Sequence, residues 1–317
     1  MTATADARPR RRVGALRQRD APPAAGRVGR RRPRGWWTGY LFIAPFFLLF
    51  AAFGAYPLVY ALELSFSDWH GAGALHWIGV SNYTYLLTSS DFWASVGVSV
   101  TLWLLIVPAQ TVGSIALATL LSRSRLRFIP LLRTTVLLPY VTPLAAMAQA
   151  FILLFDRDFG VVNAIGRHLG LPAIGWLTTT TWAKATIALF VLWKSTGFAL
   201  VVMLAAVQAI PGEVYEAAAI DGAGTAATFT RITVPLMRPA IAFFVVVSTL
   251  GVSQLFLEPY VITRGGPYNS TTTSGLYLFQ HIGNSDLGTG AANSFLLVVG
   301  VLLLSVGAIR LLRARDT

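Results

Sequence analysis

Glu213, Glu216, Ala217, Ala218, Asp221 and Gly222 stand close together in the run Pro211-Gly212-Glu213-Val214-Tyr215-Glu216-Ala217-Ala218-Ala219-Ile220-Asp221-Gly222. Carboxylates beside alanines and a glycine hold no nucleophile, metal-ligand set or proton-transfer pair. Their chemistry is that of a surface held against another surface. Pro211 suits a helix start, and Glu213 and Glu216 then lie near its positive end. The alanines favour helix and present almost no side chain, so a second surface can approach closely. Gly222 and Gly224 can take left-handed conformations that stop the helix and reverse the chain. A second short helix then runs to about Ile232, and Pro235 and Pro239 mark entry to the next apolar run. Such a helix–turn–helix is either a docking element or only a tight connector with helix-stabilising charges. The residues alone leave both open.

A second group of polar residues lies inside long apolar runs: Gln110, Tyr140, Gln149, Trp193, Lys194, Gln254 and Glu258. Amides and carboxylates beside aromatic faces hold hydroxyl-rich solutes, and polar groups placed this way mark solute paths. Helix–helix hydrogen bonding or snorkelling accounts for each of them singly as well. Gln254 and Glu258 are spaced one turn apart, which predicts a shared face of one helix. Other chemistry is excluded. The chain has no cysteine, hence no disulfide, thiolate or cysteine-bound metal. His70, His76, His168 and His281 are scattered, with no H-E-x-x-H spacing and no metal expected. No G-x-x-x-x-G-K-[ST] run occurs, and neither Lys184 nor Lys194 follows a glycine.

The elements that carry these residues are membrane spans. The 317 residues are 55% hydrophobic and only 12% charged, with a mean hydropathy of +0.63, whereas soluble domains carry roughly 25% charged residues. Six apolar segments near the roughly 20 residues a bilayer requires cover about 36–62, 94–121, 131–155, 182–208, 238–262 and 290–312. Trp36, Trp37 and Tyr40 open the first as an interfacial belt. It is too long for a signal-peptide core, and five more spans follow. Backbone groups must pair internally in lipid, so the spans are expected to be helices. Pro45, Pro57, Pro108, Pro139 and Pro143 fall inside them and mark tolerated kinks or cavity-lining breaks.

The net charge of +12 does not imply nucleic acid. Eleven arginines lie in the first 35 residues. Most others flank spans, as in Arg123, Arg125, Arg127, Arg133, Arg231, Arg238, Arg310, Arg313 and Arg315. Only Arg157, Arg167 and Arg264 fall on the opposite side. The positive-inside rule predicts both termini in the cytoplasm. Residues 1–35 read as a disordered basic tail open to contact with membrane lipid, 36–312 as the transmembrane domain with the 209–239 loop in the cytoplasm, and 313–317 as a short cytoplasmic tail. The expectation is an all-α, six-helix, multi-pass protein of the cytoplasmic membrane.

Glu216-Ala217-Ala218, then Gly222, then Ile232 and Val234-Pro235, resembles the cytoplasmic loop of the inner-membrane permeases of binding-protein-dependent ABC importers. Val234 stands where that family usually has leucine, and Ala226 where relatives often carry an aromatic. The segment Gln254–Pro267, with Asn269-Ser270-Thr271, is similar to the end of the fifth span in carbohydrate importers, in particular the maltose-type first permease. The resemblance covers nearly all of 36–312. It implies the type I permease fold and a coupling helix of Glu213, Glu216, Ala217, Ala218, Asp221 and Gly222 seated on a cytoplasmic ABC ATPase dimer. It implies a second, different permease and an extracytoplasmic sugar-binding protein. No cofactor is expected in this chain, ATP and Mg being used by the ATPase. The cargo implied is a di- or oligosaccharide, along a path including Gln254, Glu258, Tyr140, Gln149 and Trp193. Alternatives are a permease for another solute such as glycerol phosphate, an ion-coupled secondary transporter, which needs more intramembrane carboxylate than Glu258, or a membrane enzyme, for which a catalytic cluster is lacking.

Overall fold

The computed structural model describes residues 36–123 and 129–313. The basic tail 1–35, Arg125, Arg127 and Arg315 lie outside the described residues. In chain order the helices are α1 (Trp36–Phe50), α2 (Tyr56–Ser65), α3 (Ser81–Thr88), α4 (Ser90–Arg123), α5 (Ile129–Val141), α6 (Leu144–Leu154), α7 (Val161–His168) and α8 (Thr180–Gln208). They continue with α9 (Gly212–Ile220), α10 (Thr225–Thr228), α11 (Val234–Leu236), α12 (Arg238–Ser253), α13 (Leu257–Ile262), α14 (Ser274–Gly283) and α15 (Leu287–Arg313). Single π-helical turns occupy Ala51–Ala55 and Phe229–Thr233. The strands β1 (Ser67–Asp68) and β2 (His76–Trp77) pair antiparallel, Ser67 opposite Trp77.

The chain divides into two units, 1–54 and 55–317. In the first, α1 carries Pro45 without breaking and lines up aromatic rings, with Phe46 stacked on Phe50. Among the described residues, Gly39–Ser65, Ser90–Ser122, Thr180–Gln208 and Leu287–Arg310 are each long and apolar enough to cross a membrane.

The expected third and fifth spans are not single helices. Leu131–Val141 and Leu144–Leu154 meet at 100°. Pro143 has no N–H and stands at the N-cap of α6, where a break costs least. The fifth bends by 68° between Thr225–Leu236 and Arg238–Ser253 and ends at Ser253. Pro259 explains that end. A continuous helix would set its ring against the carbonyl of Leu255. The chain turns at Gln254 and restarts as α13, and the Thr273 hydroxyl takes the freed Leu255 carbonyl. Gln254 and Glu258 therefore do not share a helix face. By contrast, Pro108 lies within continuous α4 and Pro139 within α5.

In the second unit α4 packs along α8 through Leu102, Ile106, Ile187 and Phe190, all fully buried. Gly197 lets α8 press on α5, since a Cβ there would meet the Val136 carbonyl at 2.6 Å. Trp103 Nε1 donates to Thr249 Oγ1 at 2.9 Å, joining α4 to α12. At the opposite end from α9, Asn82 donates to the carbonyls of Ser65 and Ser67, tying α3 to the end of α2 and β1.

Candidate functional site

A cavity of about 250 Å³ lies among α4, α5, α8, α12 and α13. Gln110 of α4 is the centre of its polar wall. Its Nε2 donates to Ser195 Oγ of α8 at 2.7 Å, and its Oε1 accepts from Ser248 Oγ of α12 at 3.0 Å. Ser195 donates onward to the carbonyl of Val191. These bonds leave the amide a second N–H and leave both serine oxygens spare lone pairs. The opposite character comes from Tyr140, whose ring stacks on Phe198 with centroids 5.5 Å apart. Lys194 Nζ lies 5.8 Å from the Tyr140 centroid, within cation–π reach. Glu258 enters the same wall from α13.

Of the residues expected along a solute path, the fold brings Gln110, Tyr140 and Glu258 together. Gln149, Trp193 and Gln254 do not line this cavity. Trp193 is turned toward Phe151, with ring centroids 5.4 Å apart. Gln149 is exposed on α6, and Gln254, also exposed, is the C-cap of α12. Ser195, Ser248 and the Phe198 and Phe244 walls are not among the residues the sequence singles out. A small hydroxyl in an apolar run was the available signal for the serines. Both broken elements border the cavity, where irregular backbone is tolerated in membrane proteins.

The second constellation lies on the protruding loop. The end of α9 is a Schellman motif: Ala223 N–H donates to the Ala218 carbonyl and Gly222 N–H to that of Ala219. Gly222 takes the left-handed conformation, at φ +73°. Gly224 does not; at φ −67° it caps α10. Glu213, Glu216, Ala217, Asp221 and Gly222 are exposed together, but Ala218 is turned inward at 6% exposure. Ile220, absent from the expected set, is 87% exposed. Tyr215 Oη and Thr233 Oγ1 lie 3.3 Å apart, bracing α9 against the π turn. Val234 packs against the buried cluster around Met237 and Ile241, so the smaller side chain still fills an apolar place. Ala226 is exposed.

Residues 110–316 match the binding-protein-dependent transport system inner membrane component, and the chain belongs to that family of multi-pass membrane permeases. Among its relatives is the lactose transport system permease LacF of Rhizobium radiobacter, 38% identical over 249 residues, which cover 77% of this chain and 82% of the relative. The trehalose/maltose permease MalF of Thermococcus litoralis is 32% identical over 278 residues, 87% of this chain and 94% of the relative. A solved bacterial ABC transporter involved in import of the acidic polysaccharide alginate superposes with a TM-score of 0.76 at 23% identity, covering 88% of this chain and 96% of that one. That likeness shows the ABC importer permease fold.

Proposed function

We propose that the chain is one permease subunit of an ATP-driven importer that passes a sugar, a di- or oligosaccharide, across the cytoplasmic membrane by alternating access. The observation that carries this is the Gln110–Ser195–Ser248 network facing the Tyr140–Phe198 stack in one cavity, in a chain whose relatives are permeases for lactose and trehalose/maltose. Hydroxyl groups of a sugar exchange hydrogen bonds with water for bonds to the amide, the serines and Glu258, while its apolar ring faces lie on the aromatic wall.

Counting each bent pair as one span brings the four long helices to six, and the arginine distribution supports both termini in the cytoplasm. In that orientation α9 projects toward a cytoplasmic ATPase dimer. Glu213, Glu216, Ala217, Asp221, Gly222 and the exposed Ile220 form its contact, and Ala218 packs the helix from below. Closure of the ATPase on ATP and Mg draws α9 with it. Movement passes through the α10–α12 bend to the cavity, whose opening switches from the cytoplasmic to the outer side. A sugar delivered by an extracytoplasmic binding protein enters, and hydrolysis resets the path. A second, different permease completes it, and this chain carries no ATPase site or cofactor of its own.

Proteoliposomes holding the chain with its partner permease and ATPase test the reading. Labelled oligosaccharide should accumulate only with ATP on the ATPase side and binding protein on the other. Uptake driven by an ion gradient without ATP would overturn it.

A further inference from the structure

The loop between α6 and α8 is folded around one side chain. Asn163 of α7 is 3% exposed. Its Nδ2 donates to the carbonyls of Arg157 at 3.0 Å and Ile174 at 2.8 Å. Its Oδ1 accepts from the Ile174 N–H and from Trp176 Nε1, each at 3.0 Å. With a longer bond from Nδ2 to the Asp156 carbonyl at 3.4 Å, five bonds to one amide fix the rotation of α7. Residues two positions either side of a helical residue point roughly the opposite way, so Val161 and Ile165 face outward, with Leu169 one turn beyond. Phe159 is 92% exposed, Ile165 57% and Leu169 73%. Asp156 Oδ1 accepts from the N–H groups of Asp158 and Phe159, holding the approach to this ridge in place.

The helix thus buries its amide and packs Val162 against the core, while Val161 and Ile165 are presented outward beside Arg167 and His168. Large exposed apolar patches rimmed by polar groups mark an interaction surface. Two observations choose the occupant. The ridge begins five residues after Leu154, and Leu153 and Leu154 are themselves exposed at the end of α6, which belongs to a bent pair long and apolar enough to cross a membrane. The ridge therefore starts one short charged turn, Asp156-Arg157-Asp158, beyond the exposed apolar end of that helix pair. Its charges are also balanced, Arg157 and Arg167 against Asp156 and Asp158, with Arg167 donating to the Asp158 carbonyl. An amphipathic helix at a membrane boundary buries its apolar face about 5–10 Å into the headgroup–acyl region.

We propose that α7 is an interfacial helix. Its Phe159–Ile165–Leu169 ridge lies in the headgroup–acyl boundary of the leaflet where α6 ends, and the occupant is lipid. The balanced charge makes the seating indifferent to anionic headgroups. The consequence is mechanical. One end of α6 is moored to the bilayer surface, while the other is the 100° bend beside Tyr140, so α6 pivots about a fixed outer end.

Because the chain has no native cysteine, single substitutions I165C, L169C and D158C in the full-length chain each accept one bimane label. The labelled proteins are placed in nanodiscs of phosphatidylcholine, or of phosphatidylethanolamine with phosphatidylglycerol, containing lipid with a nitroxide near the top of the acyl chain. Labels at 165 and 169 should lose roughly half or more of their emission in both compositions, and the label at 158 far less. Wild-type chain in the same discs, footprinted by hydroxyl radicals, should show Phe159, Ile165 and Leu169 protected, independently of any substitution. Labels at 165 and 169 that escape lipid nitroxide yet are quenched by aqueous iodide would overturn the proposal, as would protection that arises only when a second permease or a binding protein is added. Quenching confined to the anionic discs would overturn its charge-independent form.

Discussion

The hydroxyl of Thr273 donates to the main-chain carbonyl of Leu255, the acceptor that Pro259, lacking an N–H, leaves unused. Thr273 also caps α14 by accepting from the Leu276 N–H at 3.2 Å, so one buried side chain closes both the α12–α13 break and the start of the next helix. Thr273→Val keeps the shape and removes both bonds. Leaving a buried carbonyl unsatisfied costs about 1–3 kcal/mol. We expect lower thermal stability of the purified protein for the valine variant and recovery for Thr273→Ser. Equal melting of wild type and the valine variant would remove this residue from the account of the break.

Gln110→Leu deletes the centre of the cavity network at similar volume. The second N–H of the amide, the one left for a sugar hydroxyl, is worth about 1 kcal/mol, roughly a fivefold change. The expected outcome is a sugar uptake rate reduced on that scale, with unchanged sugar affinity of the separate binding protein. Initial-rate transport and calorimetry on the binding protein read the two quantities independently.

Gly222→Pro removes the N–H that closes the Schellman motif and forbids the φ of +73° found there. Glu216→Lys reverses an exposed charge in the middle of α9. Both variants should insert in the membrane normally and lose most uptake, while ATP hydrolysis by the assembled complex no longer responds to loaded binding protein. Wild-type uptake by both would end the assignment of α9 as the coupling element. Ile220→Asp, at the most exposed apolar position of α9, should act in the same direction.

Asp286, just before α15, provides a pH-dependent stabilisation. Burial favours its protonated form, but hydrogen bonds from His281 and from Thr289 outweigh this and hold the carboxyl below the ordinary carboxylate range. A carboxyl with a depressed folded-state pKa stabilises above its unfolded pKa and loses that contribution as pH falls through the folded value. Protection of amides in 281–290 from hydrogen exchange should therefore be full near neutrality and decline below about pH 4. In Asp286→Asn the decline should disappear, with protection lower throughout.

Much of this molecule is written in local chemistry. Apolar length predicts spans over about 36–62, 94–121, 182–208 and 290–312, and the structure has apolar helices over Gly39–Ser65, Ser90–Ser122, Thr180–Gln208 and Leu287–Arg310, because a span must satisfy its own backbone in lipid wherever it packs. The turn at Gly222 is equally legible, since a left-handed helix terminus needs little beyond a residue without Cβ. Prolines were visible too, but their effect was not. Pro45 and Pro108 lie inside continuous helices, whereas breaks accompany Pro143 and Pro259. For Pro259 the difference is Thr273, a distant hydroxyl that satisfies the carbonyl released by the break. Gln254 and Glu258 read as neighbours on one helix face only while that break was unknown.

The sequence by itself thus determined the membrane class, the four long apolar helices and the turn at Gly222, because hydropathy and glycine act over a few residues. Only the tertiary structure decided which polar side chains share a cavity. Gln110 meets Ser195 across 85 positions and Ser248 across 138. Hydrogen bonds of that separation form only when packing of α4, α8 and α12 brings one buried amide between two hydroxyls. Tertiary packing likewise separated Ala218 from its neighbours and aimed Ile165 outward, since it alone sets the rotation of a short helix about its axis.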